Sequence, residues 1–286
     1  MKCSICNSTP LHIFLEDVID HMVTHNTFTL YRCEQCQTIS TYPVPDDLDK
    51  YYDSSRYLSH HSEGSSAISV FYRNIRLVNI NNKINILNSY ISGNKVLDVG
   101  CGTGDFLYKA QQKGFTINGV EVDSDARTQS SQKLGINISS SIDETQGSFD
   151  AITLWHVLDH TKDPSQTISL LLDRLADDGI LILALPNYNS FDATYYGKYW
   201  AGYDVPRHLF HFSKESVSFL ANTHNIIIHK IQPMTFDAYY VSLLSEKYRK
   251  PSPLNYLDAF QLGFRSNRKA QHTGEFSSLI YVLKKQ

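Results

Sequence analysis

The stretch KVLDVGCGTGDF, residues 95–106, constrains this chain more than any other. Val96, Leu97 and Val99 are apolar and β-prone, glycines fall at positions 100, 102 and 104, and a helix-competent run follows at once. Strand, tight turn and helix start in that order bring backbone close to a cofactor. Asp98, an acid inside an otherwise apolar strand, points to a polar task. The alternation continues. Residues 115–123 read as a second strand, 126–134 as a helix, 136–142 as a short strand and 149–155 as a fourth. Asp163-Pro164 opens a helix, since proline is tolerated in a first turn, and the wholly apolar residues 180–185 make a fifth strand. Alternating strands and helices imply a parallel sheet covered on both faces.

After this region Ser213 is a suitable N-cap for a helix over 214–222, and residues 226–231 and 277–284 complete the strands. The expectation is an α/β fold with a doubly wound, mostly parallel seven-stranded sheet and a small N-terminal zinc-binding module. The boundaries expected are 1–45 for the module, 46–92 for a linker and helical segment, and 93–286 for the main domain. A cap insertion of one or two helices is expected at about 233–275, shaping a pocket or making a homodimer contact. Residues 67–90 carry apolar side chains at helical spacing. The polar, aromatic run from Tyr51 to Gly64 reads either as a lid or as a bridge between domains. A length of 286 residues suits one domain of roughly 200 residues plus a small appendage.

The module rests on Cys3, Cys6, Cys33 and Cys36, two CxxC pairs with 26 residues between them. Four thiolates close a tetrahedral shell around Zn²⁺, and each two-residue gap lets a pair bite the same ion. About 40 residues bury little core, so metal would supply much of the folding free energy. Because the shell is then full, the zinc is expected to be structural, and His12, His21 and His25 are not expected to be ligands.

Hydrophobic residues make up 42% and charged residues 19%, which excludes global disorder, and 26 basic against 29 acidic side chains leave no domain-wide basic field for nucleic acid. No signal-peptide core is evident at the N-terminus and no aliphatic run is long enough to span a bilayer. A cytoplasmic chain acting on a small molecule, without nucleic-acid or membrane partners, is the expectation.

Three cofactor classes compete for the glycine turn. A phosphate-binding loop needs Lys and then Ser or Thr after its last glycine, whereas Asp105-Phe106 follow here. A dinucleotide site uses GxGxxG; here Gly100, Gly102 and Gly104 make GxGxG, and Asp105 would set a negative charge beside a pyrophosphate. A cofactor with a cationic centre, an amino-acid tail and a ribose suits the pattern better. Asp98 would help to hold an ammonium, the glycines allow close backbone approach, and Glu121, about twenty residues on, reaches ribose hydroxyls.

Val96 to Phe106 with Gly119-Val120-Glu121 and Trp155-His156-Val157-Leu158-Asp159-His160 resembles a class I S-adenosylmethionine-dependent methyltransferase of Rossmann-like fold. The resemblance covers roughly residues 95–232, and the zinc-ribbon arrangement ahead of it is also similar to that of some bacterial small-molecule methyltransferases. It implies S-adenosyl-L-methionine as cofactor. Asp98, Gly100, Cys101 and Gly102 would then face the methionine part, with Gly104 completing the turn. Glu121 would take the ribose, Val122 the adenine face and Ser141-Ile142 the adenine edge, with Trp155 and His156 beside the methionine part. Asp159 stands where many relatives carry Glu.

Beyond the fifth strand the chain is dense in aromatic and polar groups, at the sheet end where ligands sit in open α/β folds. Asn187, Tyr196, Trp200, Asp204, Arg207 and His208 are the candidate substrate residues, and the segment 204–209 resembles one in methyltransferases acting on sugars and other metabolites. His156, His208 and His211 are the candidates for a base that takes a hydroxyl proton, while Arg207 either binds a substrate anion or pairs with an acid. The main reading is methyl transfer to a sugar, glycan precursor or other hydroxylated metabolite. The rivals are a nucleic-acid or protein acceptor, and an inactive zinc-ribbon binding protein.

Overall fold

The computed structural model describes residues 1–52, 67–250, 252 and 255–286. The lid-or-bridge reading of residues 51–64 therefore lies almost wholly outside the described residues. Two sheets organise the chain. The first is antiparallel, from β1 (Leu11–Ile19), β2 (Thr27–Cys33) and β3 (Ile39–Tyr42), and it is completed by a two-residue strand from much later in the chain, β8 (Phe210–His211), in the order β1-β2-β3-β8.

A long helix, α1 (Ala67–Tyr90), leads to the second sheet, built from β4 (Lys95–Val99), β5 (Thr116–Val120), β6 (Phe149–Trp155), β7 (Leu175–Pro186), β9 (Ile226–Pro233) and β10 (Ser278–Lys285). Its order is β5-β4-β6-β7-β10-β9; β5, β4, β6 and β7 run parallel, and β10 is antiparallel to both β7 and β9. The crossovers are α2 (Asp105–Gln112), α3 (Ser124–Leu134) and α4 (Pro164–Leu172), and α6 (Lys214–Thr223) precedes β9. The chain leaves β4 towards β5 on one side and later returns to β6 on the other. The switch point, where open α/β sheets bind ligands, thus lies at the carboxyl ends of β4 and β6.

The doubly wound α/β expectation holds, with one strand fewer. In place of a strand over 136–142 there is a single bridge, Val120 with Ser139. The physical reason is local: Glu144 accepts from both the Ser140 N–H (2.8 Å) and the Ser140 hydroxyl (2.7 Å), which folds the chain into a single turn, Ile142–Glu144, instead of continuing the edge. The cap expectation resolves into two helices, α7 (Asp237–Arg249) and α8 (Asn255–Thr273), which pack on each other and on the short helix α5 (Phe191–Tyr196). Among the described residues no helix is long and apolar enough to cross a membrane.

The two sheets are not separate bodies. Cys3, Ile5, Cys33 and Cys36 belong to the same buried cluster as Leu209, Phe210 and Phe212 and the β6 and β7 residues Ile152, Leu154 and Leu183. On the other face Val18, Phe28, Leu30 and Ile39 pack with Tyr188, Trp200, Tyr203 and Val205. The N-terminal residues therefore form one wall of the region after β7.

Candidate active site

The glycine turn closes over the end of β4. The Gly100 N–H donates to the Val120 carbonyl (2.8 Å), tying the turn to the neighbouring strand. Gly100 has φ +71°, and a Cβ there would lie 2.5 Å from Val157, so both backbone and space demand glycine. Gly102, at φ +55°, differs: a Cβ there would meet nothing within 4 Å among the described residues, so this side of the turn is open with respect to them. The Gly102 N–H donates to one oxygen of Glu121 (2.7 Å) and the Asp123 N–H to the other (3.0 Å). Each carboxylate oxygen keeps acceptor capacity for a further donor. Next to this acid Val122 is 81% exposed, an apolar side chain left uncovered beside a polar cradle. Ser139, bridged to Val120, accepts the Glu121 N–H at its carbonyl (2.9 Å), so Ser141 and the half-buried Ile142 follow along the same edge.

Asp98 sits opposite Thr153 in the β4–β6 register and accepts its hydroxyl at 2.6 Å. Burial pushes the Asp98 carboxyl up to about 7; the Thr153 hydrogen bond and the Lys83 ammonium oppose that rise. Lys83, from α1, lies 4.4 Å from the centre of the Trp155 ring, and Phe106 packs edge-on to the same ring at 5.6 Å. Cys101 is buried and its thiol is pushed up by that burial. Gly104 caps α2 in the left-handed region.

Beyond Trp155, His156 takes φ +58°, an uncommon conformation for a residue with a side chain, and its Nε2 lies 3.3 Å from Asp237 at the start of α7. Asp237 gave no signal in the sequence, where an acid in a first helical turn reads only as a complement to the helix dipole.

On the acceptor side the polar groups of most of the expected residues are engaged within the protein. Arg207 is 1% exposed and donates from Nε to both Asp204 oxygens (3.1 and 3.0 Å), from Nη2 to Asp20 (3.0 Å) and Asp204 (2.6 Å), and from Nη1 to the Tyr51 carbonyl (2.9 Å). It is a buried clamp on the N-terminal sheet, so of the two readings of Arg207 the pairing with acids prevails. Burial works against ionisation at Asp204, but Arg207 outweighs it and holds that carboxyl below its usual range. His211 accompanies the clamp: its Nε2 lies 3.0 Å from the Thr41 hydroxyl, and burial drives its pKa well below the usual value, so the ring is neutral and structural.

Trp200, expected against substrate, is 2% exposed and donates to Asp192 (2.8 Å); Tyr196 donates to Glu246 (3.1 Å); Asn187 donates to Glu275 (2.7 Å) and the Phe276 carbonyl (3.0 Å). These side chains brace the wall behind the site, because their polar ends are used inside the protein. His208 is brought together with Asp159 and His160: its Nε2 is 3.2 Å from Asp159, and its ring centre is 4.5 Å from that of His160. Burial drives His160 down to about 4.

The four N-terminal cysteines converge. Sγ of Cys3 is 3.6 Å from that of Cys36 and Sγ of Cys6 is 3.5 Å from that of Cys33, with all four sulfurs within 4.8 Å of one another. Sulfurs around one tetrahedral zinc at 2.3 Å would be about 3.8 Å apart. The donor set and its spacing therefore fit a four-thiolate zinc site.

A doubly wound sheet with a glycine turn after its first strand, an acid in that strand and an acid ending the next defines a class I methyltransferase fold. The chain belongs to the family described as a methyltransferase domain, which matches residues 75–225. The ubiquinone biosynthesis O-methyltransferase of Paracidovorax citrulli is 25% identical over 111 residues, 35% of this chain and 47% of the relative. The protein of the same name from Glaesserella parasuis is 30% identical over 128 residues, 40% of this chain and 52% of its own length. The chain thus spans about half the length of the curated relatives it matches. Among solved structures, magnesium protoporphyrin IX methyltransferase from Synechocystis with bound SAH shares the fold at a TM-score of 0.55 and 14% identity, over 82% of this chain and 94% of that one.

Proposed function

We propose that this chain transfers a methyl group from S-adenosylmethionine to a hydroxyl of a small-molecule acceptor, a sugar, glycan precursor or other hydroxylated metabolite. The observation that carries this reading is the cradle: a buried Asp98 beside a turn whose Gly102 side is open, with Glu121 bound to that turn and Val122 uncovered next to it. The names of the curated relatives, O-methyltransferases, support the reaction type over the shared region.

When bound, S-adenosylmethionine supplies an electrophilic methyl on sulfur. Asp98 holds the cofactor's ammonium, Gly100, Cys101, Gly102 and Gly104 shape the backbone around its amino-acid part, and Glu121 accepts from ribose hydroxyls. Val122 covers one adenine face and the Ser141-Ile142 edge lies beside it. Trp155 closes the methionine side. Of the three candidate histidines, His156 is the proton acceptor: its Nε2 lies beside the Asp237 carboxylate at 3.3 Å, and Nδ1 is the nitrogen offered to an acceptor hydroxyl. The bound group would supply the methyl electrophile and depart as a neutral thioether, and His156 would take the proton that the acceptor hydroxyl gives up as its oxygen is methylated. Alignment of acceptor, methyl and sulfur supplies most of the acceleration.

We also infer that Cys3, Cys6, Cys33 and Cys36 hold one structural Zn²⁺, which fixes the first sheet as a wall of the acceptor side. A methyl-label transfer screen against fractionated metabolites and polymers tests the main reading. Label in a small hydroxylated product is expected; label confined to RNA, DNA or protein would overturn it.

A further inference from the structure

Asp159, His160 and His208 form a second cluster that the methyl-transfer reading does not use. Asp159 is 1% exposed, yet among the described residues neither carboxylate oxygen has a hydrogen-bond partner. An ionisable side chain is rarely left in that state, because desolvation without compensation costs several kcal/mol. His208 sharpens the problem. Its Nδ1 lies 2.9 Å from the Gly202 carbonyl, which can only accept, so Nδ1 carries the hydrogen. In a neutral ring Nε2 is then a bare lone pair, and it faces Asp159 at 3.2 Å. Two acceptors confront each other. At 3.2 Å the nitrogen and the oxygen are close but share no hydrogen bond. A ring nitrogen of His160 completes the set, and the three donor atoms lie within 4.8 Å of one another.

We propose that Asp159, His160 and His208 bind a divalent transition-metal ion, distinct from the four-cysteine site. Two imidazoles and a carboxylate suit Zn²⁺, Fe²⁺, Co²⁺ or Mn²⁺ better than Mg²⁺ or Ca²⁺, which favour all-oxygen shells. The surroundings match what histidine ligands need: the far nitrogen of His208 is held by a carbonyl, and Nδ1 of His160 lies 3.0 Å from the Tyr52 hydroxyl. The ion would join the loop after β6 to the 202–208 loop, fixing the two segments that border the acceptor side. The binding claim stands on this geometry; only its use in fixing the acceptor side rests on the methyl-transfer reading.

The test is calorimetric titration with Co²⁺ of the full chain carrying one Zn²⁺ on its cysteines, the remainder removed with a mild chelator and the one-to-one zinc content checked by metal analysis, with visible spectra recorded alongside. One Co²⁺ per chain beyond the cysteine-bound metal is expected, without the intense thiolate-to-cobalt bands that cysteine ligation gives. Asp159→Asn and His208→Gln should each weaken binding at least tenfold. No additional Co²⁺ in the wild-type chain, or undiminished binding in Asp159→Asn, overturns the proposal, and the wild-type result decides even if a variant fails to fold. A parallel S-adenosylhomocysteine titration separates the two readings: Co²⁺ binding without adenosyl binding sinks methyl transfer alone, and the reverse sinks this site alone.

Discussion

The cofactor cradle and the acceptor-side wall are built in opposite ways. The cradle comes from two nearly contiguous stretches, residues 95–106 and 116–123, and the donors that shape it are backbone N–H groups: Gly100 to the Val120 carbonyl, Gly102 and Asp123 to the Glu121 carboxylate. The wall is assembled from distant side chains. Asp20 and Tyr51 meet Arg207, Thr41 meets His211, and Tyr52 meets His160. A backbone-made site tolerates change everywhere except at its few special positions. A side-chain-made wall, with buried charge, fails as a unit when one member is lost.

That contrast predicts a graded series of outcomes. The largest concerns the cysteines. Binding free energies for structural zinc are on the order of 10 kcal/mol, so Cys36→Ser or strong chelation should unfold the β1–β3 sheet and strip the wall from the acceptor side. Hydrogen exchange should report loss of protection in β1–β3 and β8 ahead of β4–β6. Simultaneous loss in both sheets would break the distinction.

Next is Arg207→Met, which strands Asp20 and Asp204 as buried charges. Denaturant unfolding should show a loss of about 3–5 kcal/mol, the usual cost of removing one partner of a buried pair. A loss below about 1 kcal/mol would mean that the clamp is no more than a surface pair.

A smaller effect is expected in the cradle. Gly102→Ala meets no atom within 4 Å among the described residues, so its stability cost should be limited to about 1–2 kcal/mol from the left-handed backbone. Its methyl group projects into the open side of the turn, and S-adenosylhomocysteine affinity should fall at least tenfold, about 1.4 kcal/mol. Unchanged affinity would mean that the open side is not where the cofactor lies.

The same contrast explains what the sequence disclosed. The strand–turn–helix unit, Glu121 and the four cysteines were legible because local spacing determines their geometry. The seventh strand was not, since Glu144 reaching back to Ser140 decides whether the edge continues. Arg207 stood among aromatic and polar neighbours that suit a pocket; its partners, 187 positions away at Asp20 and 156 away at Tyr51, leave no trace in local pattern. Asp237 behind His156 and the meeting of His160 with His208 were hidden for the same reason. Residue type signalled chemistry on the acceptor side, but pairing came only with the tertiary fold.

The central claim is that the cradle holds a cationic adenosyl cofactor through Asp98, and calorimetry with S-adenosylmethionine across pH tests it most directly. Burial raises the Asp98 carboxyl to about 7 in the free protein, so below that pH the group is protonated and binding a cation must expel the proton. Affinity should therefore rise about tenfold per pH unit up to about 7 and level off above it. In Asp98→Asn it should be weaker and flat over that range. One-to-one binding with this profile is the predicted result; absence of binding, or a profile that Asp98→Asn leaves unaltered, would contradict the account.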